Sequence, residues 1–430
     1  MTLCTKVYFI RYFKPIALFA CLGTTISTIV VAGTLHFAVE SGYTGSFKPT
    51  LAEVLTFGGL ISATDPVSTL AVFETKKVDP QLFYLVFGES VLNDAVGVVL
   101  FNTLAKFVGT EDSFTSSTVI SFLGTFFVTF IGSMMLGLFS GKVAAYILKN
   151  VDLRHTRMLE LSSFILVMYA PFFAAEVLPL SGIITALFTG ITAKQYAEPN
   201  LSPQSAEAAE TIFRVIAHMA ETSLFLELGL SVFGLASGNF YPMFVLFAVI
   251  GCILGRLVHI YPITLTLNYL ISKNEKKAER EAQERGEPLL PSQKSSEQKI
   301  LMKTAHMLWF SGLRGAVAYA CAKTFPDVYG SQGPMVVTTM SIVLLTVFFL
   351  GGATEWALAK LVIEMNVDED ALLASEKRDS PKEMGFLDKM GKSYPLSPYF
   401  IRNLVSFLKG LFITIFMQFR SKVFPSHVDT

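Results

Sequence analysis

The chain has 430 residues, of which 52% are hydrophobic and 16% are charged, and its 34 basic residues balance its 34 acidic residues. This composition is too apolar and too weakly charged for an ordinary soluble domain, and it indicates a protein that resides in a lipid bilayer. A net charge of zero excludes the broad positive field that recruits nucleic acid, so no nucleic-acid partner is expected. Cys4, Cys21, Cys252 and Cys321 lie far apart without a CxxC pair, which excludes a disulfide framework.

Ten apolar stretches predict ten membrane-spanning helices, because a spanning helix needs about 20 mostly apolar residues. We therefore expect an all-α membrane protein. The predicted spans are 15–38, 51–73, 80–108, 118–148, 158–178, 180–196, 209–234, 241–271, 300–322 and 333–363.

The distribution of lysine and arginine predicts that both termini are cytosolic. With the N-terminus inside, the outer segments hold only Lys48 and Lys323. The inner segments hold Lys6, Arg11, Lys14, Lys76, Lys77, Lys149, Arg154, Arg157, Lys194 and the basic loop 273–303. A miscounted helix would scramble this alternation, so the bias also supports the span count.

Two segments outside the predicted spans differ from them in composition. Residues 272–299 are dense in charge and have nothing to bury, which predicts a mobile cytosolic insert that is either solvated filler or a regulatory site. The tail 364–430 is short. Within it, residues 400–419 mix aromatic and basic side chains, which favours a helix lying on the inner membrane surface.

The second predicted span carries an aspartate and a proline at its centre, in the sequence Ser62-Ala63-Thr64-Asp65-Pro66. Pro66 has no N–H to donate to the Ser62 carbonyl, and it disfavours helical angles at Asp65. We expect the helix to open at Thr64 and Asp65 and to leave unpaired carbonyls beside a carboxylate. Such oxygens suit a hard cation such as sodium; the alternative is a structural kink with a capping aspartate.

The third predicted span carries Glu89, Ser90, Asn93 and Asp94, and helical spacing places these four polar residues on adjoining faces. Two carboxylates in one apolar helix need different partners. One requires a fixed cation, and the other requires a mobile cation or a proton.

The candidate fixed cations are Arg256 on the eighth span and Arg314 on the ninth. Gly312 and Gly315 flank Arg314, which favours a second interrupted helix. Two interrupted helices are typical of inverted-repeat transporters with a site at the membrane midplane.

Three stretches, SATDPVSTLAVF at 62–73, FGESVLNDAVGVV at 87–99 and SGLRGAVAY at 311–319, resemble the signature sequences of eukaryotic sodium/proton exchangers. The NLSP sequence at 200–203, with Glu221-Thr222 and the GLS sequence at 229–231, further resembles the organellar branch. The resemblance covers most of residues 15–363.

This resemblance implies an ion site for Na⁺ or K⁺ in competition with H⁺. Asp94 would bind either the cation or the proton, with Asn93 beside it, and Asp65, Thr64 and Ser90 would complete the site. Asn93, in place of a second aspartate, implies electroneutral exchange of one cation for one proton.

The remaining polar residues would have supporting roles by the same resemblance. Glu89 would be held by Arg256, and Arg314 would stabilise the second broken helix. Glu221 would either assist proton access or be structural. Neither a cofactor nor ATP coupling is expected, since no nucleotide-binding loop is found.

The family fold implies a membrane domain at 1–363, with a partial first repeat at 15–108, a linker helix at 118–148 and a second repeat at 158–363. Ten spans correspond to the family's thirteen without the first three. The resemblance implies a homodimer in the Golgi or endosomal membrane, with the plasma membrane as an alternative, although the missing helices contribute to the family's dimer contact. The chain would then be a truncated transporter sequence or a transport-inactive scaffold.

An intramembrane aspartyl protease is a third interpretation, because two aspartates lie on neighbouring spans. That chemistry is expected to carry a GxGD sequence, and here Leu92 and Asn93 precede Asp94.

Overall fold

The computed structural model describes residues 12–109, 116–151, 153, 156–233, 240–285 and 299–367, and every regular element within these ranges is helical. The helices, with α1 and α12 each including a π-helical turn, are α1 (Phe13–Glu40), α2 (Leu51–Ser62), α3 (Val67–Lys76), α4 (Pro80–Ala105), α5 (Ser116–Asn150), α6 (Arg157–Val177), α7 (Gly182–Tyr196), α8 (Pro203–Phe233), α9 (Pro242–Arg285), α10 (Met302–Phe310), α11 (Ala316–Lys323), α12 (Gln332–Gly351) and α13 (Thr354–Lys360).

The prediction of an all-α membrane protein is confirmed. Six helices of the described chain are long and apolar enough to cross a membrane, namely Phe13–Glu40, Pro80–Ala105, Phe122–Asn150, Arg157–Val177, Pro242–Lys277 and Gln332–Gly351. The other four predicted spans are also helical. Two of them are each divided into halves, α7 has 15 residues, and α8 carries several charged residues. The number of spans therefore stays a prediction.

The structure differs from the sequence prediction at the insert 272–299. Helix α9 does not end at residue 271 but continues to Arg285, since the Lys-, Glu- and Ala-rich sequence there favours helix. Residues 286–298 lie outside the described residues, as does the surface helix predicted at 400–419.

Both interrupted helices break where the sequence predicts. Helix α2 begins with a capping box between Thr50 and Glu53, and it ends at Ser62, after which Ala63 is extended with ψ of 130°. Helix α10 ends at Phe310, and the chain reaches Gly315 in an extended conformation before α11 begins. Residues 63–66 are hereafter the first break and residues 311–315 the second break.

The described residues divide into two compact units, one within 1–126 and 213–384 and the other within 127–212. All nine polar residues singled out above belong to the first unit. Its core packs Phe57, Phe101, Phe244 and Phe325 around the two interrupted helices. Gly58 allows α1 and α2 to approach closely, because a Cβ atom there would lie 2.7 Å from the Thr28 carbonyl oxygen.

The second unit contains most of α5, together with α6, α7 and the start of α8. Glu160 of α6 is buried, and its carboxylate accepts hydrogen bonds from the Ser202 N–H at 2.8 Å and from the Ser205 hydroxyl at 2.6 Å. This carboxylate thereby satisfies donor groups at the N-terminus of α8.

Candidate functional site

The two breaks pair with each other through their backbones. The Asp65 N–H donates to the Leu313 carbonyl at 2.9 Å. Gly315 makes this approach feasible, since a Cβ atom at that position would lie 2.1 Å from the Cβ and Oδ2 atoms of Asp65. The extended segments therefore cross in direct contact.

The Asp65 carboxylate lies at the start of two half-helices. It faces the backbone N–H groups of Val67 and Ala316, the first residues of α3 and α11. Helix N-termini carry partial positive charge, so one carboxylate stabilises both ends. Asp65 thus has partners within the protein, in addition to any ion.

Arg314 is buried, and its guanidinium lies at the C-terminus of α2. Its Nη1 donates to the Ser62 carbonyl at 2.9 Å and to the Ala63 carbonyl at 3.4 Å. The expectation that Pro66 leaves the Ser62 carbonyl free is therefore wrong, because Arg314 takes the place of the missing N–H. The resemblance implied that Arg314 supports its own broken helix, but its charge acts on the first one.

Arg256 and Glu89 form a buried ion pair in which the guanidinium Nη1 contacts Oε1 and Nη2 lies 3.3 Å from Oε2. The same guanidinium donates to the Leu308 carbonyl at 2.6 Å and to the Thr64 hydroxyl at 3.3 Å. Arg256 therefore connects α9, α4, the end of α10 and the first break. The Glu89 charge is compensated within the protein.

Asn93 and Asp94 lie on α4 beside the first break. The Asn93 amide donates to the Thr64 hydroxyl at 2.5 Å, which directs its Oδ1 elsewhere. Buried Oδ1 atoms of both Asn93 and Asp94, like the hydroxyl of Ser62, find no hydrogen-bond partner among the described residues. Asp94 also interacts electrostatically with Asp65.

The last two predicted residues lie near this centre. Ser90 is buried on α4, one helical turn before Asp94. Glu221 of α8 is half-buried and interacts electrostatically with Asp65. The structure thus places all nine predicted residues in one unit, around the crossing of the two breaks.

Three polar groups that take part in these contacts were not predicted from the sequence. The carbonyls of Leu313 and Leu308 bind the Asp65 N–H and Arg256 respectively, and the Thr346 hydroxyl accepts from the Arg314 N–H at 3.1 Å. Gly312 retains its N–H, so the reasoning applied to Pro66 does not predict that the Leu308 carbonyl is open to Arg256. Nothing in the sequence around Thr346 distinguishes it from other threonines of apolar helices.

The chemistry of the centre is that of oxygen atoms. A carboxylate, an amide oxygen and a hydroxyl are ligands of hard cations, and the carboxylate alternatively takes a proton. Within the described ranges, no group of three or more His, Cys, Asp or Glu side chains is arranged to hold a metal ion.

Comparison with known proteins gives a consistent result. The family model described as "Sodium/hydrogen exchanger, transmembrane" matches residues 5–360. The chain is 34% identical over 392 residues to "Sodium/hydrogen exchanger 8" of Homo sapiens, which covers 90% of the chain and 61% of that relative. It is also 34% identical over 390 residues to "Sodium/hydrogen exchanger 9" of Mus musculus, with 89% of the chain and 56% of that relative covered. The chain thus spans about three fifths of the length of these relatives.

A solved structure shares the fold. The sodium proton antiporter MjNhaP1 from Methanocaldococcus jannaschii superimposes with a TM-score of 0.59 and 16% sequence identity, covering 83% of each chain. The likeness supports a helical antiporter fold with interrupted helices.

Proposed function

The chain belongs to the sodium/hydrogen exchanger family, as its three signature stretches indicated, and we propose that it exchanges Na⁺ or K⁺ for H⁺ across a membrane. It is an integral membrane protein of a family of secondary transporters, so the protease interpretation is not supported. Family membership and the complete set of polar residues also disfavour the transport-inactive scaffold.

A single observation carries the proposal: of Asp65, Glu89 and Asp94, only Asp94 has neither a cationic partner nor a helix-end partner within the described residues. Glu89 is paired with Arg256, and Asp65 faces the starts of α3 and α11. An isolated buried charge is unstable unless it is neutralised. Asp94 therefore requires either a proton or a monovalent cation, and the two compete for it.

Competition for one carboxylate leads to exchange. If the free energy of moving the empty, charged site between the two sides is too high and that of the neutralised site is not, the protein switches between its two open states only with an ion or a proton bound. Asn93 is neutral and its amide is held by Thr64, so one proton exchanges for one cation. Ser90, Thr64 and Asp65 supply further oxygens, and Glu221 provides proton access to Asp65.

The partners and the compartment follow from the same proposal. The transported ions are monovalent cations and protons, and a homodimer in the Golgi or endosomal membrane is expected, with cytosolic termini. Relatives named sodium/hydrogen exchangers 8 and 9 support the organellar branch.

The test is exchange in proteoliposomes that carry a proton gradient. Addition of Na⁺, and in a separate run K⁺, should collapse the gradient with the wild-type chain. Asp94→Asn should reduce exchange at least 100-fold, because the amide cannot bind the proton.

Asp327→Asn is the matched control. Asp327 lies in the same unit, between α11 and α12, where its carboxylate accepts from the Gln332 N–H at 3.2 Å. It should exchange like the wild type. Undiminished exchange by Asp94→Asn would overturn the site assignment, and a wild-type chain that exchanges neither ion would overturn the function.

A further inference from the structure

A buried apolar cluster lies where the second half of α8 meets α11 and α12. It consists of Leu228, Tyr319, Met340 and Val343, each at most 2% exposed. We name these four residues the plug. Hydrophobic constrictions of this kind block ions because an ion cannot shed its water there at low cost.

The plug lies on the outer side of the ion site. With the predicted cytosolic termini, helix α11 starts at the second break and runs away from the cytosol, so Tyr319 lies about 5 Å beyond Ala316 at 1.5 Å per residue. Lys323, at the end of α11, belongs to the outer side by the distribution of basic residues. The plug therefore separates Asp65 and Glu221 from the outer surface.

Two polar contacts between α8 and α11 lie beside the plug. The Tyr319 hydroxyl lies 2.6 Å from the Ser231 hydroxyl, and the Lys323 ammonium lies 3.4 Å from the Glu227 carboxylate. The Lys323 ammonium also lies 5.4 Å from the centroid of the Tyr319 ring. Ser231 and Glu227 are one turn apart on α8, and Tyr319 and Lys323 are one turn apart on α11, so the four form one latch.

The middle of α8, before Glu221, presents ionisable side chains at its surface. Residues 214–220 are all exposed, and they include Arg214 and His218. Ionisable side chains at membrane depth face water or a protein cavity in preference to lipid. An approach along residues 214–220 would reach Glu221 and Asp65 from the cytosol, whereas an approach from the other side would meet the plug.

We propose that the plug is the outer gate of the exchanger and that the Ser231–Tyr319 and Glu227–Lys323 contacts are its latch. This inference rests on the proposed exchange, in which the site must open to both sides in each cycle. The latch contacts are formed in the structure described here, and an outer gate requires them to break whenever the outer side opens.

The first experiment locks the gate. E227C/K323C in proteoliposomes is treated with a short or a long bifunctional thiol reagent, and each single-cysteine variant, which retains the native cysteines, is treated alike. The short reagent should reduce Na⁺/H⁺ exchange of the double variant at least tenfold, and reduction should restore it. The long reagent and the single variants should leave exchange unchanged.

The second experiment loosens the gate without a covalent link. In Met340→Cys protein, labelling by a membrane-impermeant thiol reagent from the outer side requires the plug to open. Adding Tyr319→Phe, which removes only the latch hydroxyl, should accelerate this labelling about threefold to tenfold. This factor corresponds to the net free energy of one hydrogen bond. Tyr319→Phe retains the ring, so folding is preserved.

These results separate the gate from the proposed function. Undiminished exchange in the short-linked protein, or labelling of Met340→Cys unaffected by Tyr319→Phe, would overturn the gate. If the unlinked double variant and the wild type both fail to exchange ions, the proposed function fails, and the labelling rates still report on the gate.

Discussion

The two interrupted helices carry different sequence signals at their breaks. The first break contains Pro66, which removes a backbone donor just after α2 ends. The second break contains no proline. It relies on Gly312 and Gly315, which permit close approach to Arg256 and Asp65 respectively.

The difference shows that each break supplies the charge that the other one needs. Arg314 of the second break neutralises the carbonyl end of α2, and Asp65 of the first break neutralises the starts of α3 and α11. The remaining carbonyl end, at Leu308 of α10, is bound by Arg256. All of these charges serve helix ends, which is why we propose that Asp94 binds the transported ion.

The largest expected effect comes from removing the charge of the second break. Arg314→Met leaves the carbonyls of Ser62 and Ala63 buried without a donor, which should cost about 3 kcal/mol of unfolding free energy. Thermal unfolding of the detergent-solubilised protein measures it. Arg314→Lys, which keeps one charged donor, should lose clearly less. Equal stability of Arg314→Met and the wild type would refute the exchange of charges between the breaks.

A smaller effect is expected from crowding the crossing itself. Gly315→Ala places a Cβ atom 2.1 Å from Asp65 atoms, so the two breaks must separate. The loss should be about 2 kcal/mol, within the range for overpacked cores, with weaker exchange in proteoliposomes. Gly190→Ala is the control, since nothing lies within 4 Å of a Cβ atom there, and it should be neutral or slightly stabilising. A harmless Gly315→Ala would show that the breaks are not in contact.

The smallest effect is expected from Pro66→Ala. The Asp65 N–H pairs with the Leu313 carbonyl and the Ser62 carbonyl with Arg314, so tertiary contacts should hold the first break open without the proline. Unfolding free energy should change by less than about 1 kcal/mol, and exchange should persist. Loss of exchange on this substitution would show that the proline, and not the crossing, maintains the break.

Much of the architecture could be predicted from the sequence because it depends on residues that are neighbours in the chain. Runs of apolar residues predicted each helix, the proline placed the first break between Ser62 and Val67, and the flanking glycines placed the second. The end of α9 was misjudged because a charged sequence with strong helix propensity continues a helix beyond the apolar run.

The sequence by itself determined that the chain is a helical membrane protein with two interrupted helices and with two carboxylates on one buried helix that require different partners. Only the tertiary structure decided how the charges are shared among the helix ends. Arg314 and Ser62 are far apart in the chain, and so are Asp65 and Ala316, and the partner of a helix end depends on which backbone crosses it. The propensity to form or interrupt a helix is set by neighbouring residues, whereas compensation of a buried charge depends on groups that the fold brings together.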